Sequence, residues 1–159
     1  MTNEDARKIL MAEDWVGLTM FGEARGDSRV DGSSLEERVA VGCVIRNRLK
    51  TPGRFGDSYQ TVCLKRKQFS CWNENDPNSA LLWTHARNIA AALKVDDPLL
   101  QETLFLANGI VSNILRDITN GATSYYAPRS MVPPGRVPDW AIGHEPCARI
   151  GTQLFFKGV

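Results

Sequence analysis

The stretch WVGLTMFGEARGDS, residues 15–28, sets one glutamate, Glu23, at the end of an apolar run. Val16, Met20 and Glu23 stand at i, i+4 and i+7, so the acid shares one helical face with apolar side chains. The pattern predicts a first helix from residue 3 to residue 21 or 22. Gly22 and Gly26 bracket the acid and let the backbone turn sharply or let a ligand come close. A polar loop, GDSRVDGSS, comes next.

Outward from there, Ser34 and Glu37 have capping-box spacing ahead of an apolar run. A second helix follows, with Val41, Val44, Ile45 and Leu49 as its buried stripe, and Thr51-Pro52-Gly53 stops it. Residues 52–78 read as one long irregular stretch holding Phe55, Tyr59, Phe69 and Trp72 among Gln, Ser and Asn. Loops of that length in a compact domain are uncommon and often functional. Asp76-Pro77 opens a third helix, with Leu82, Ala86, Ile89, Ala90 and Leu93 on its core face. Pro98 opens a further helical region. Its apolar set is Leu104, Phe105, Ile110, Val111, Ile114 and Ile118, and Asn120-Gly121 ends it. Beyond Ala122 lie five of the eight prolines, and QLFFKG reads as a closing strand or extended segment. The fold class is mainly α: one domain over residues 1–159, four or so helices, long aromatic loops and little β.

A chain of 159 residues can bury a real core. Its net charge of +1 supplies no global field to draw in nucleic acid. The basic runs VIRNRLK and CLKRKQF are short and read as solvated helix edges or loops. No segment reaches the roughly 18 apolar residues of a membrane span. The start, MTNEDARKILMAEDW, has acids where a secretory leader needs basic residues, so synthesis in the cytoplasm is expected. Cys43 reads as a core thiol, while Cys63 and Cys71 are near enough in sequence to pair across a loop, a point the sequence leaves open. Cys63, Cys71, His144 and Cys147 match no standard zinc spacing. A Cys–His nucleophile would need an activated thiolate, which nothing in the sequence signals.

Apolar neighbours disfavour the charged form of a carboxylate, so an acid so placed can hold a proton near neutral pH and act as a general acid. Glycoside cleavage needs such an acid to protonate the leaving oxygen. Sugars also need flat aromatic faces with amides and hydroxyls, and QFSCWN and TSYY offer Gln68, Ser70, Trp72, Asn73, Ser124, Tyr125 and Tyr126. The competing reading of Glu23 is a solvated or salt-bridged helix-end residue beside Arg25. His85, Trp15 and Trp83 read as packing residues, and Trp140 divides evenly between packing and a cleft wall.

FGEARGDS, EERVAVGCVIRNRLK, QFSCWN, ATSYYAP, PDWA and IGTQLFF occur in that order. Together they resemble the cell-wall hydrolase family that includes the spore cortex-lytic enzymes and several phage endolysins, over roughly residues 14 to 157. The resemblance implies a lysozyme-like fold, related to goose-type lysozyme and lytic transglycosylases, that cleaves the MurNAc–GlcNAc β-1,4 bond of peptidoglycan. The family's catalytic glutamate falls on Glu23, its QFS segment on Gln68, Phe69 and Ser70, and its late aromatic segment on Tyr125 and Tyr126. The chain departs from the family at Asp27, where a glutamate is frequent, and at Gln153, where a histidine is common. The expected protein is a monomer on peptidoglycan glycan strands, with no metal, no cofactor, no nucleic acid and no stable membrane insertion.

Asp27, Asp31, Glu36, Asp57, Glu74 and Asp76 are all available as a second carboxylate, and spacing singles out none; Asp27 is the first to consider. One acid suffices if the muramic O6 attacks C1, the lytic transglycosylase route that the resemblance favours, while water as nucleophile stays open. A start without a leader and no added wall-binding domain suit a phage or prophage endolysin released through a holin pore. The alternatives are a non-catalytic peptidoglycan-binding or virion structural module, or a Cys/His or zinc-dependent amidase or peptidase.

Overall fold

The protein was analysed as a computed structural model, in which residues 1–24 and 35–159 are described. The chain is mainly helical, with one small sheet. Its helices are α1 (Asn3–Ile9), α2 (Ala12–Ala24), α3 (Leu35–Leu49), α4 (Tyr59–Leu64), α5 (Pro77–Ala90) and α6 (Pro98–Val111). Strands β1 (Ser124–Tyr126), β2 (Ala148–Ile150) and β3 (Gln153–Phe156) make an antiparallel sheet in the order β1-β3-β2.

Helix α2 is the axis of the fold. Every residue from Trp15 to Gly22 is buried, and α2 packs on α3, α4, α5 and α6. A helix apolar on all sides belongs inside a core rather than on its surface. The close packing depends on missing side chains: a Cβ on Gly17 would stand 2.7 Å from Leu104 Cδ2. On Gly22 it would stand 2.8 Å from Cys71 Cβ and from Leu82 Cδ1. Helix α3 lies beside α2 and carries the sheet: Phe155 of β3 packs with Ala40, Val44 and Ala122. Tyr125 pairs with Phe155 across the β1–β3 ladder, so both side chains point to that inner face.

Several sequence expectations change. The first helix is broken in two, because Leu10 is extended (φ −63°, ψ 142°) and Asp14 Oδ2 accepts the Met11 N–H at 2.8 Å. Residues 52–78 are not wholly irregular, since α4 and a 3-10 turn at Ser70–Trp72 lie within them. Helix α5 ends at Ala90, which leaves Leu93 exposed. Helix α6 ends at Val111, and Ile114 beyond it is 81% exposed. The capping-box expectation rests partly on Ser34, outside the described residues; the Glu37 carboxylate accepts the Thr152 N–H at 2.6 Å. The run VIRNRLK is not a solvated edge either, for Arg46 and Arg48 are both buried. Arg46 donates to the Ile110 carbonyl at 3.1 Å, on the last turn of α6, where backbone acceptors lack helical partners.

The chain between α6 and β1 is organised by Asp117. Its carboxylate accepts from Asn47 Nδ2 (3.0 Å), the Thr119 N–H and hydroxyl (2.8 and 2.7 Å) and the Gly121 N–H (2.9 Å). Burial raises its pKa, but these hydrogen bonds outweigh it and hold the carboxyl below its usual value. A lowered carboxyl stabilises the fold above its unfolded pKa, near about 3.9, and that contribution is lost as pH falls through the folded value. Asp117→Asn is therefore expected to cost about 1–2 kcal/mol at pH 7. Thermal melts should show the deficit shrinking below about pH 4, as the wild type loses its carboxylate. An undiminished deficit at low pH would contradict this account.

Candidate functional site

Glu23 is the next-to-last residue of α2 and the first on that helix since Asp14 that is not buried. Its carboxylate accepts three hydrogen bonds from two other segments. The Tyr125 hydroxyl donates to Oε1 at 2.6 Å. The Ser70 hydroxyl and the Cys71 N–H donate to Oε2 at 3.3 and 3.1 Å. Burial, and after it the Glu23 charge, push the Tyr125 phenol well above its usual pKa. Tyr125 thus remains a neutral donor across the physiological range.

The Ser70–Trp72 turn reaches Glu23 because Gly22 leaves room for Cys71 against α2. Trp72 holds the turn in place. Its indole N–H donates to Thr19 Oγ1 at 2.9 Å, and its ring meets Trp15 and Trp83 at centroid distances of 5.8 and 5.2 Å. At 9% exposure Trp72 is chiefly a packing residue, not the open sugar platform expected of it; it also edges a cavity of about 800 Å³ together with Asn73.

Arg48 supports the site from below. Its Nε donates to the Thr123 carbonyl at 2.7 Å, and a terminal nitrogen donates to Gln68 Oε1 at 3.4 Å. The guanidinium lies 4.7 Å from the Phe69 ring centroid and 5.0 Å from that of Phe55, within cation–π range. Burial lowers the Arg48 pKa, and the facing Tyr125 and Glu23 oppose that shift. An arginine stays charged through such a change. Arg48 was missed in the sequence, although it carries the signal that marks Glu23: it stands seven residues after Val41 and four after Val44, on an otherwise apolar face.

Gln68, Ser124 and Tyr125, together with Arg48 and Trp140, line a cavity of about 460 Å³. Tyr126 is not brought to Glu23. Alternation along β1 turns it to the other face of the sheet, where it stacks on Phe156 at 5.8 Å and meets the edge of Trp140. Asp27 and Arg25 lie outside the described residues.

The cysteines do not present a nucleophile. All four are free thiols. Burial pushes Cys63 up to about 12; burial and then Glu23 push Cys71 higher still. A thiol needs the opposite shift to attack at neutral pH. Among the described residues no three of His, Cys, Asp and Glu gather into a metal site.

The model of the family described as Cell Wall Hydrolase matches residues 32–156, most of the chain. Gln68, Ser70, Trp72, Tyr125 and Tyr126 fall inside that stretch and Glu23 just ahead of it. No curated protein and no solved structure matches the chain.

The burial of the thiols predicts their order of reaction. With a chromogenic disulfide at pH 8, half-buried Cys147 should react first. Cys43, Cys63 and Cys71 should react only on unfolding, with all four counted in denaturant. Two or more fast thiols in the native protein would contradict the packing around Glu23.

Proposed function

The chain belongs to the cell wall hydrolase family, and on that premise we propose that it cleaves the MurNAc–GlcNAc β-1,4 bond of peptidoglycan with Glu23 as its acid. The observation that carries this reading is the convergence of Tyr125, Ser70 and the Cys71 N–H on one carboxylate at the end of the central helix. A general acid must be held in one orientation, and three donors from two segments do that.

In the reaction, protonated Glu23 gives its proton to the glycosidic oxygen as the C1–O4 bond breaks and positive charge develops at C1. The Tyr125 and Ser70 hydroxyls and the Cys71 N–H stabilise the carboxylate left behind. The muramic O6 then bonds to C1 and returns its proton to Glu23, leaving a 1,6-anhydro end and a regenerated acid. This intramolecular route needs no second carboxylate. No second side-chain carboxylate appears among the described hydrogen-bond partners of Glu23 or among the described side chains lining the 460 Å³ cavity. Gln68, Ser124 and Trp140 supply amide, hydroxyl and ring surface for the sugar on the cavity side. The sequence blocks resemble phage endolysins as well as spore cortex-lytic enzymes, and on the former resemblance the proposed setting is lysis of a host wall.

Glu23→Gln keeps the size and most hydrogen-bonding capacity of the side chain and removes its acidity. It is expected to lower turnover by about 10²–10⁴-fold while the protein stays folded and still sediments with peptidoglycan. Mass spectrometry of wild-type digests should show 1,6-anhydro-muropeptides. Reducing muramic ends would mean that water is the nucleophile and would direct attention to Asp27. Cut stem peptides, or full activity in the variant, would overturn the assignment.

A further inference from the structure

Beside the Glu23–Tyr125 pair, the 460 Å³ cavity is lined by the buried Arg48 and by three exposed cations, Arg54, Lys65 and Lys67, and, apart from the main-chain terminus at Val159, by no acidic group among the described residues. In a chain of net charge +1 that is a local concentration, not a general property of its surface. No ion pair within the described residues engages any of the four.

The cluster is built, not merely adjacent in sequence. Lys65 donates its ammonium to the Arg54 carbonyl at 2.7 Å and so ties the loop after α3 to the end of α4. The Phe55 ring lies 5.0 Å from the Arg48 guanidinium and 4.8 Å from that of Arg54. Lys67 takes φ 66°, the left-handed region that a residue with a side chain adopts only when its surroundings impose it. The next residue, Gln68, is the one bonded to Arg48. Lys65 and Lys67 also line the adjoining cavity of about 800 Å³, together with Arg66 and one acid, Glu74, so a rim with a net positive charge runs outward from Tyr125.

Arg48 has its structural role, but uncharged sugar rings have no use for the three exposed cations next to the acid that cuts them. The carboxylates of a peptidoglycan strand are carried by the peptide attached to the lactyl group of muramic acid, next to the bond in question. Resting on the glycosidase reading, we propose that this cavity is a subsite for the carboxylate-bearing stem peptide of the muramic residue being cleaved, with Lys65 and Lys67 as its outer contacts. Recognition of the stem would then restrict cleavage to peptide-substituted strands.

The test compares two substrates made from one peptidoglycan preparation: strands with free stem carboxylates, and the same strands with those carboxylates converted to methylamides by a carbodiimide and methylamine. Two proteins are compared, the wild type and Lys65→Gln/Lys67→Asn. Asparagine at position 67 accepts the left-handed backbone, and thermal melting checks that the variant is folded. The wild type should favour strands with free stem carboxylates by about tenfold or more, through KM, as a charge-assisted contact does. That preference should collapse toward unity in the variant and weaken with added salt. Equal cleavage of both substrates by the wild type, or a preference unchanged in the variant, would overturn the subsite and leave the glycosidase intact. If neither substrate is cut, the glycosidase reading is what has failed. Titration of a soluble muramyl peptide then decides the subsite by itself: about tenfold weaker binding to the variant supports it, and equal binding ends it. Competition by poly(glycerol phosphate) with no effect of the stem carboxylates would reassign the cavity to wall phosphates and overturn the proposal.

Discussion

The site hangs on the hydrogen bond from Tyr125 to Glu23. It links residues 102 apart in sequence, joining the sheet to the end of the central helix at 2.6 Å. For that contact to form, the helix must run buried up to its last turn, the sheet must lie on α3, and the Ser70–Trp72 turn must close against Gly22. Each condition has a physical cause in the core: an all-apolar helix, an aromatic ladder on small residues, and a glycine where a Cβ would collide with Cys71. Burial keeps the phenol protonated, so Tyr125 holds Glu23 without competing with it for charge.

The second frame is made of charges placed inside. Arg38, Arg46 and Arg48 project from one helix into the body of the protein, and each finds acceptors. Arg38 meets Glu102 at 2.6 Å, Arg46 the end of α6, and Arg48 the Thr123 carbonyl. An unpaired buried cation would cost several kcal/mol. Here guanidinium groups serve as struts: Arg38 and Arg46 tie α3 to α6, and Arg48 ties it to the irregular segments at Thr123 and Gln68. Arg48 fixes the strand that bears Tyr125 and the side chain of Gln68 at once, while Asp117 fixes the approach to that strand. The catalytic geometry proposed for Glu23 therefore rests on polar contacts that are themselves buried, which suits a site where small displacements are costly.

Much of this was legible from residues alone. The capped starts at Asp76-Pro77 and before Pro98 are local chemistry, since a carboxylate that accepts a nearby N–H acts within two or three residues. Glu23 declared itself by standing on an apolar face. Ser70 and Tyr125 were chosen for their chemical types, and the fold sets both on its carboxylate. Helix ends were read less well. Apolar residues such as Leu93 and Ile114 extended the periodicity past the point where the chain turns away, and periodicity cannot tell a buried position from an exposed one.

The sequence by itself determined the mainly helical class, an early helix with an apolar face and the presence of one acid at its end, because these follow from composition and spacing within a few turns. Tertiary structure alone decided the rest. It assigned Trp72 to the indole cluster and Tyr126 to the far face of the sheet, and it turned Arg48 from a surface charge into a buried strut. The reason is the same in each case. A side chain's role depends on which distant segment it meets, and that is set by how helices and strands stack rather than by anything written beside it in the chain.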